Sequence, residues 1–315
     1  MDLTPFVDAE TGHAVTLRSL TSHEAVDAAW HLQLKQAVAH RMNDLDRAGQ
    51  YAADCPVPGA EPRDYTLRHI DLGDDGRFLA GIHFLRMDVS RPFVGVIART
   101  MSFEDAAHIR RVSRALTEQL SLFSPESVWF FQADGAIEFS LGDYPGGKLD
   151  QHLLAARVND MREATPPGLE RMEARPPADG WFQRYSEVYH RFLVTHPHRR
   201  DYLSPESEAD LLACQQNGAL LELWVDGRYG GLIAATPDTR CGVTGSEMWE
   251  ILLDDPWRGK GLAAACHRRL ADHLPEDGIV WGTVDARNII SRRAAQRAGR
   301  SIVGRWWFVP FSLSR

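Results

Sequence analysis

The stretch ILLDDPWRGKGLAAACHRRL, residues 251–270, reads as a hydrophobic strand, a polar turn with two glycines, and a helix. This succession constrains the fold more than composition does. Successive backbone N–H groups at a helix start form a concave, partly positive nest that suits phosphate. Three phosphate loops compete for it. A Walker loop requires GxxxxGK[ST], but Gly261 is followed by Leu262. A dinucleotide fingerprint, GxGxxA, matches GKGLAA at 259–264, with Asp285 ending the next strand as a ribose-binding acid. Against it, the polar run 254–258 separates the first glycine from the strand, and little chain follows for the rest of such a fold.

The flanking pattern narrows the choice. LERMEA reads as a short strand, and GWFQRYSEVYHRFLVTHP as a helix with apolar residues at helical spacing. SPESEADLLACQQNG is a second helix, with Ser204 as N-cap and Pro205 at its first position. ALLELWV, the turn DG and RYGGLIAAT form a hairpin, and EMWEILL is a further strand. After the glycine turn come the helix LAAACHRRLADHL, the strand IVWGTV, the helix NIISRRAAQRAG closing at Gly299, and a last strand SIVGRWWFVPF. The first half repeats part of this order: a hairpin around GDDG, the strand PFVGVIART, the helix FEDAAHIRRVSRALTEQLSLF, the strand SVWFFQA and a helix KLDQHLLAARVNDM. The halves share pattern and little residue identity. A boundary is expected at the proline-rich segment near 165, giving units 1–165 and 166–315.

The third loop reading is R-x-x-G-x-A, on Arg258, Gly261 and Ala263. It resembles the acyl-CoA pyrophosphate loop of the GNAT superfamily of N-acetyltransferases. Asn288, followed by a helix ending in Gly299, is similar to that family's second motif. The resemblance covers about residues 169–315. It implies an α/β (α+β) fold with a mixed, mostly antiparallel sheet flanked by helices, with two GNAT-like halves in tandem. It also implies an acyl-CoA co-substrate, acetyl-CoA first, and an acceptor amine on a small molecule or peptide. The cofactor would be held by Arg258, Gly259, Lys260, Gly261, Leu262 and Ala263 at the loop, by the backbone of Leu252 and Leu253, and by Asn288. Asn288 also reads as a helix N-cap.

Acyl transfer to an amine needs a base to take the amine's proton. Glu247 and Glu250 lie on the strand before the loop and point to opposite faces if it is regular. Glu247 shares parity with Leu253 and is the first expectation, with Glu250 second. The chain departs from the family elsewhere. The tyrosine that protonates the departing thiolate falls at Ala295, and the aromatic after the closing glycine is Arg300. Ser291, Cys266 or water are the replacements at hand. In the first half the equivalent turn carries Glu104 and Asp105 and no glycines. Acids there repel a pyrophosphate, so this half is expected to be a degenerate or accessory unit.

Net charge of −8 and a pI near 5.9 argue against a nucleic-acid footprint. The four cysteines are scattered without CxxC spacing, and HPHRR at 196–200 reads as polar loop, so no metal is expected. No apolar run of membrane-spanning length and no basic leader occur, so a cytoplasmic, reduced protein is expected. The alternative to an N-acyltransferase is a non-catalytic acyl-CoA sensor or interaction protein, favoured by Ala295.

Overall fold

The computed structural model of the protein describes residues 1–136 and 138–311. In chain order its helices are α1 (Thr4–His13), α2 (Val15–Leu20), α3 (His23–Ala37), α4 (Leu45–Asp54), α5 (Ala106–Gln119), α6 (Val158–Glu163), α7 (Trp181–Thr195), α8 (Glu208–Gln216), α9 (Ala263–Ala271) and α10 (Ile289–Arg297). The strands are β1 (Arg68–Asp71), β2 (Arg77–Phe84), β3 (Pro92–Arg99), β4 (Ser127–Ala133), β5 (Lys148–Arg157), β6 (Met172–Arg175), β7 (Leu220–Val225), β8 (Arg228–Arg240), β9 (Val243–Leu253), β10 (Ile279–Asp285) and β11 (Ser301–Pro310). This is a mixed, mostly antiparallel α/β architecture with flanking helices. Contacts divide the chain into two units. The first is Met1–Gln151 with Arg240–Gly242 and Val303–Arg315, and the second is His152–Thr239 with Val243–Ile302.

In the first unit β1, β2 and β3 form an antiparallel meander, β3 pairs parallel with β4, and β11 pairs antiparallel with β4. Helix α5 makes the crossover between the parallel strands and buries Ile109, Val112 and Leu116, spaced as one helical face requires. They pack on Phe78, Ile82, Val94, Val128 and Phe130. Helices α1 to α4 have no counterpart in the sequence expectations.

In the second unit β6, β7 and β8 are antiparallel. The tight turn between β7 and β8 has positive φ at both Asp226 and Gly227, the geometry of a type I′ hairpin. Alternate residues serve two cores. Leu221, Leu223 and Ile233 pack with α9, whereas Leu220, Leu232 and Ala234 pack with α7 and α8. Gly231, with φ +145°, lets β8 pass against β9: a Cβ there would stand 1.9 Å from the Leu252 carbonyl oxygen.

Two expectations need correction, on the segment from Lys148 and on the cap of α8. KLDQHLLAARVNDM is not a helix but β5 followed by the short α6. Its buried run from His152 to Ala156 is continuous, a pattern that periodicity cannot separate from a buried helix. From His152 on this strand belongs to the second unit, beside β10, so the contact boundary falls at Gln151/His152, ahead of the proline-rich segment. The cap of α8 is Ser207, which accepts from the Asp210 N–H at 3.2 Å, so Ser204 and Pro205 precede the helix.

Gly231→Ala is expected to cost about 2–3 kcal/mol, from a disallowed backbone angle plus overpacking. Gly259→Ala, whose Cβ would meet nothing within 4 Å, is expected to cost about 1 kcal/mol. Urea unfolding midpoints of the two variants check the difference.

Candidate active site

Strands β9 and β10 are parallel and share the pairs Ser246↔Val280 and Glu247↔Trp281. β9 then runs on to Leu253 and β10 to Asp285 without further pairing to each other, so the two strands part. Beyond that point β9 is irregular. Met248, Ile251 and Leu253 all pack toward the α9 core, whereas Leu252 packs toward α7. Met248 and Ile251 are three apart and cannot share a face of a regular strand, so the alternation slips between them, as at a bulge. The parity that joins Glu247 to Leu253 is thereby broken.

Glu250 shares the side of Leu252 and faces α7. Tyr185 Oη donates to Glu250 Oε2 at 2.6 Å and accepts from the Glu206 N–H at 2.8 Å. The Ile251 N–H donates to Glu250 Oε1 at 2.8 Å. Burial of the carboxyl pushes its pKa up to about 7, the Glu206 charge adds to the rise, and these two hydrogen bonds and Arg258 oppose it. Burial first, then Glu250, also pushes the Tyr185 phenol far up, so it stays a donor. Glu247 is partly exposed and accepts from Trp249 Nε1 at 3.2 Å.

The glycine loop is held at its base. Trp257 is buried and donates through Nε1 to the Tyr229 carbonyl at 3.1 Å, and the Asp254 N–H donates to the Gly230 carbonyl at 2.8 Å. Gly259 and Gly261 have φ of +70° and +76°, and a Cβ on either would meet nothing within 4 Å. Leu262 lies at the N-cap of α9 without a side-chain cap. Among the described residues nothing accepts from the backbone N–H groups of 259–265. An open surface of unpaired N–H groups at a helix start fits a pyrophosphate. Lys260 is exposed, with Nζ 5.1 Å from the centre of the Trp257 ring. Arg258 is turned back from the loop: Nε donates to the Leu253 carbonyl at 2.5 Å and the guanidinium lies 3.6 Å over Phe192. In this state it props the end of β9.

Asn288 caps α10, its side chain accepting from the Ser291 N–H at 3.3 Å. Ala295 is buried. Arg300 is buried too, with Nη2 donating to the carbonyls of Leu154 at 2.9 Å and Gly282 at 3.0 Å. It therefore ties β5 to β10 from inside, and burial lowers its pKa to about 10. Cys266 is buried in α9 with its thiol pushed up to about 12 by burial. Tyr185, Glu206 and Phe192 were not anticipated as site residues. On the sequence the aromatic stripe of α7 reads as core, and only the clustering of tyrosines beside acids hinted otherwise.

The first unit treats the same parting of strands differently. β3 and β4 pair at Val94↔Val128 and Gly95↔Trp129 and then separate. Here the N–H of Arg99 donates to Glu10 Oε1 at 3.2 Å. The Arg99 guanidinium forms a fork on Glu138, at 2.8 and 2.5 Å, and both side chains are almost fully buried. Asp105 caps α5 by accepting from the His108 N–H at 2.8 Å. The helix start that would face a phosphate is thus already satisfied by an acid.

A desolvated carboxyl thus lies beside parted strands and an open N–H nest. Residues 181–299 match the model of the Acetyltransferase (GNAT) family. No curated protein matches the chain. A GNAT-family acetyltransferase from Colwellia psychrerythraea is 11% identical, with 86% of this chain and 97% of that one covered and a TM-score of 0.49. A GCN5-related N-acetyltransferase from Sphaerobacter thermophilus is 16% identical, covering 87% and 96%, with a TM-score of 0.43. A tandem GNAT protein from the clavulanic acid biosynthesis pathway is 11% identical, covering 87% and 98%, with a TM-score of 0.40.

Tyr185→Phe removes a hydrogen bond to the ionised carboxylate and is expected to raise the Glu250 pKa above its value near 7, by about one unit. A carbon-13 NMR titration of the glutamate carboxyls checks this.

Proposed function

We propose that the protein is an acyl-CoA-dependent N-acyltransferase, using acetyl-CoA, that acylates an amine of a small molecule or peptide by direct attack. The observation that carries the reading is Glu250: a carboxyl with a pKa near 7, next to a strand N–H outside the ladder and to an unpaired phosphate nest. The catalytic unit is the second, and Glu250 rather than Glu247 is its base.

In this reading the N–H groups of 259–265 and Lys260 receive the pyrophosphate, while the backbone of Leu252 and Leu253 lines the arm that carries the thioester. Arg258 must leave the Leu253 carbonyl to join them. The Ile251 N–H, released from Glu250, polarises the thioester carbonyl. An incoming ammonium loses one proton to solvent. After the N–C bond forms, the nitrogen gives its second proton to Glu250. As the C–S bond breaks, Glu250 passes that proton to the sulfur, directly or through water. An acid with a pKa near 7 delivers a proton downhill to a thiolate whose conjugate acid lies near 8.5. One carboxyl then serves as base and acid, and no hydroxyl is needed at Ala295 or from Ser291. The first unit takes no acyl-CoA, because Asp105 and the Glu10, Arg99 and Glu138 cluster occupy the equivalent positions.

Calorimetric titration with acetyl-CoA is expected to show one site per chain, abolished by Gly261→Glu through bulk and charge. No binding, two sites, or wild-type affinity in the variant would refute the reading.

For the base, kcat/KM for an accepted amine is expected to rise through pH 7, and Glu250→Gln to remove that limb and lower the rate roughly hundredfold or more. The same carboxyl links to stability. Its folded pKa lies above the ordinary 4.5, so its contribution is complete below 4.5 and lost as pH rises through 7. The fall in Tm between pH 5 and pH 8 should therefore shrink in Glu250→Gln. A wild-type rate profile in that variant returns the role to Glu247. Absence of thiol release over a broad amine panel, with acetyl-CoA binding intact, favours a non-catalytic sensor.

A further inference from the structure

Arg41 lies in the first unit, on a five-residue π-turn, Val38–Met42, that follows α3. Its one side-chain contact among the described residues is with His83 on β2: Nη2 stands 2.6 Å from Nε2. Burial and the Arg41 charge push His83 down to about 3, so the ring is neutral and accepts from the guanidinium. Burial also lowers the pKa of Arg41, and the charges of Arg47 and Arg240 lower it further. Tyr51 raises it in part. Among the described residues no carboxylate is paired with the Arg41 guanidinium. A desolvated cation without a counter-ion costs folding free energy. Elsewhere in this unit the desolvated arginine, Arg99, is matched by Glu138.

Aromatic rings connect these cations. His83 stacks on Phe93 with centres 5.4 Å apart, and Phe93 meets Trp129 at 6.2 Å and Phe308 at 5.0 Å. Trp129 stacks on Trp306 at 5.6 Å, and Arg240 lies 4.8 Å over Trp306. The rings sit on β2, β3, β4 and β11, which are neighbours in the sheet, with Arg41 at one end of the row and Arg240 at the other. His83, Phe93, Trp129, Phe308 and both arginines remain partly exposed. Trp129 Nε1 donates to Asp150 Oδ2 at 2.9 Å, which sets the ring's orientation. Gly95 lies beneath His83: a Cβ there would come within 2.5 Å of the imidazole.

We propose that this row is a binding site for a small planar aromatic carboxylate, the carboxylate held by Arg41 and the ring by Phe93, Trp129 and Phe308. The free N–H donors of Arg41 suit a carboxylate fork. The partly exposed rings supply stacking area at little entropic cost. The site lies apart from the acyl-transfer residues in sequence and chemistry, and does not rest on the proposed function.

The probe is 2-naphthoate, titrated calorimetrically into the full chain and compared with neutral 2-naphthamide. Saturable binding below about 1 mM is expected, with the amide at least about tenfold weaker. Arg41→Gln removes the charge and leaves a neutral polar side chain at the position. It should weaken naphthoate at least about tenfold, leave acetyl-CoA binding unchanged, and hold or raise Tm without ligand. Arg240→Gln, at the far end of the row, should change naphthoate affinity by less than about twofold. No saturation, equal binding of acid and amide, or unchanged affinity in Arg41→Gln would overturn the proposal. So would a lower Tm in Arg41→Gln with unchanged naphthoate affinity, since that marks a structural arginine.

Discussion

Parallel strands that share a short ladder and then part leave backbone groups that must find other partners. In the second unit β9 and β10 part after Glu247 and Trp281, and the groups beyond are met by side chains. Glu250 takes the Ile251 N–H, and Arg258 takes the Leu253 carbonyl. The side chains brought to the opening by this requirement are those on which the proposed chemistry rests. In the first unit the same requirement is met by Glu10, with a closed Arg99–Glu138 pair alongside. One opening is held by groups that can exchange partners with a ligand. The other is filled by a desolvated ion pair whose separation would be costly.

Charge without full compensation marks the functional places. Glu250 is raised to about 7 by desolvation that the fold does not offset with a cation close enough to restore an ordinary value. That costs stability at neutral pH and, in the proposed reaction, supplies a base matched to that pH. Arg300 shows the opposite use of burial. Its cation is held by backbone carbonyls of Leu154 and Gly282 and ties strands together. Arg41 has neither solution, since its partner is a neutral imidazole, and the proposed ligand site rests on this.

Much of the second unit was legible because its signals are local. The DG hairpin, the glycine loop, the amphipathic α7 and the Asn288 cap each depend on a few consecutive residues. The error at β5 came from a continuous apolar run, where strand and helix look alike until neighbours are known. The order of preference between Glu247 and Glu250 rested on strict alternation along β9, which a slip of one residue breaks. Tyr185 and Arg41 were silent for a related reason: each is ordinary within its helix or turn, and its role comes from a partner 65 or 42 positions away.

Sequence alone determined that a strand, an open glycine turn and a helix would follow one another near residue 258, because positive φ, chain reversal and helix capping are decided within a few bonds. It also determined that the first half lacks such a turn. Which glutamate faces the parted strands, which arginine is paired, and which strand joins which unit were decided by tertiary structure. Those outcomes depend on strand register, desolvation and long-range pairing, and none of these is a property of a residue and its immediate neighbours.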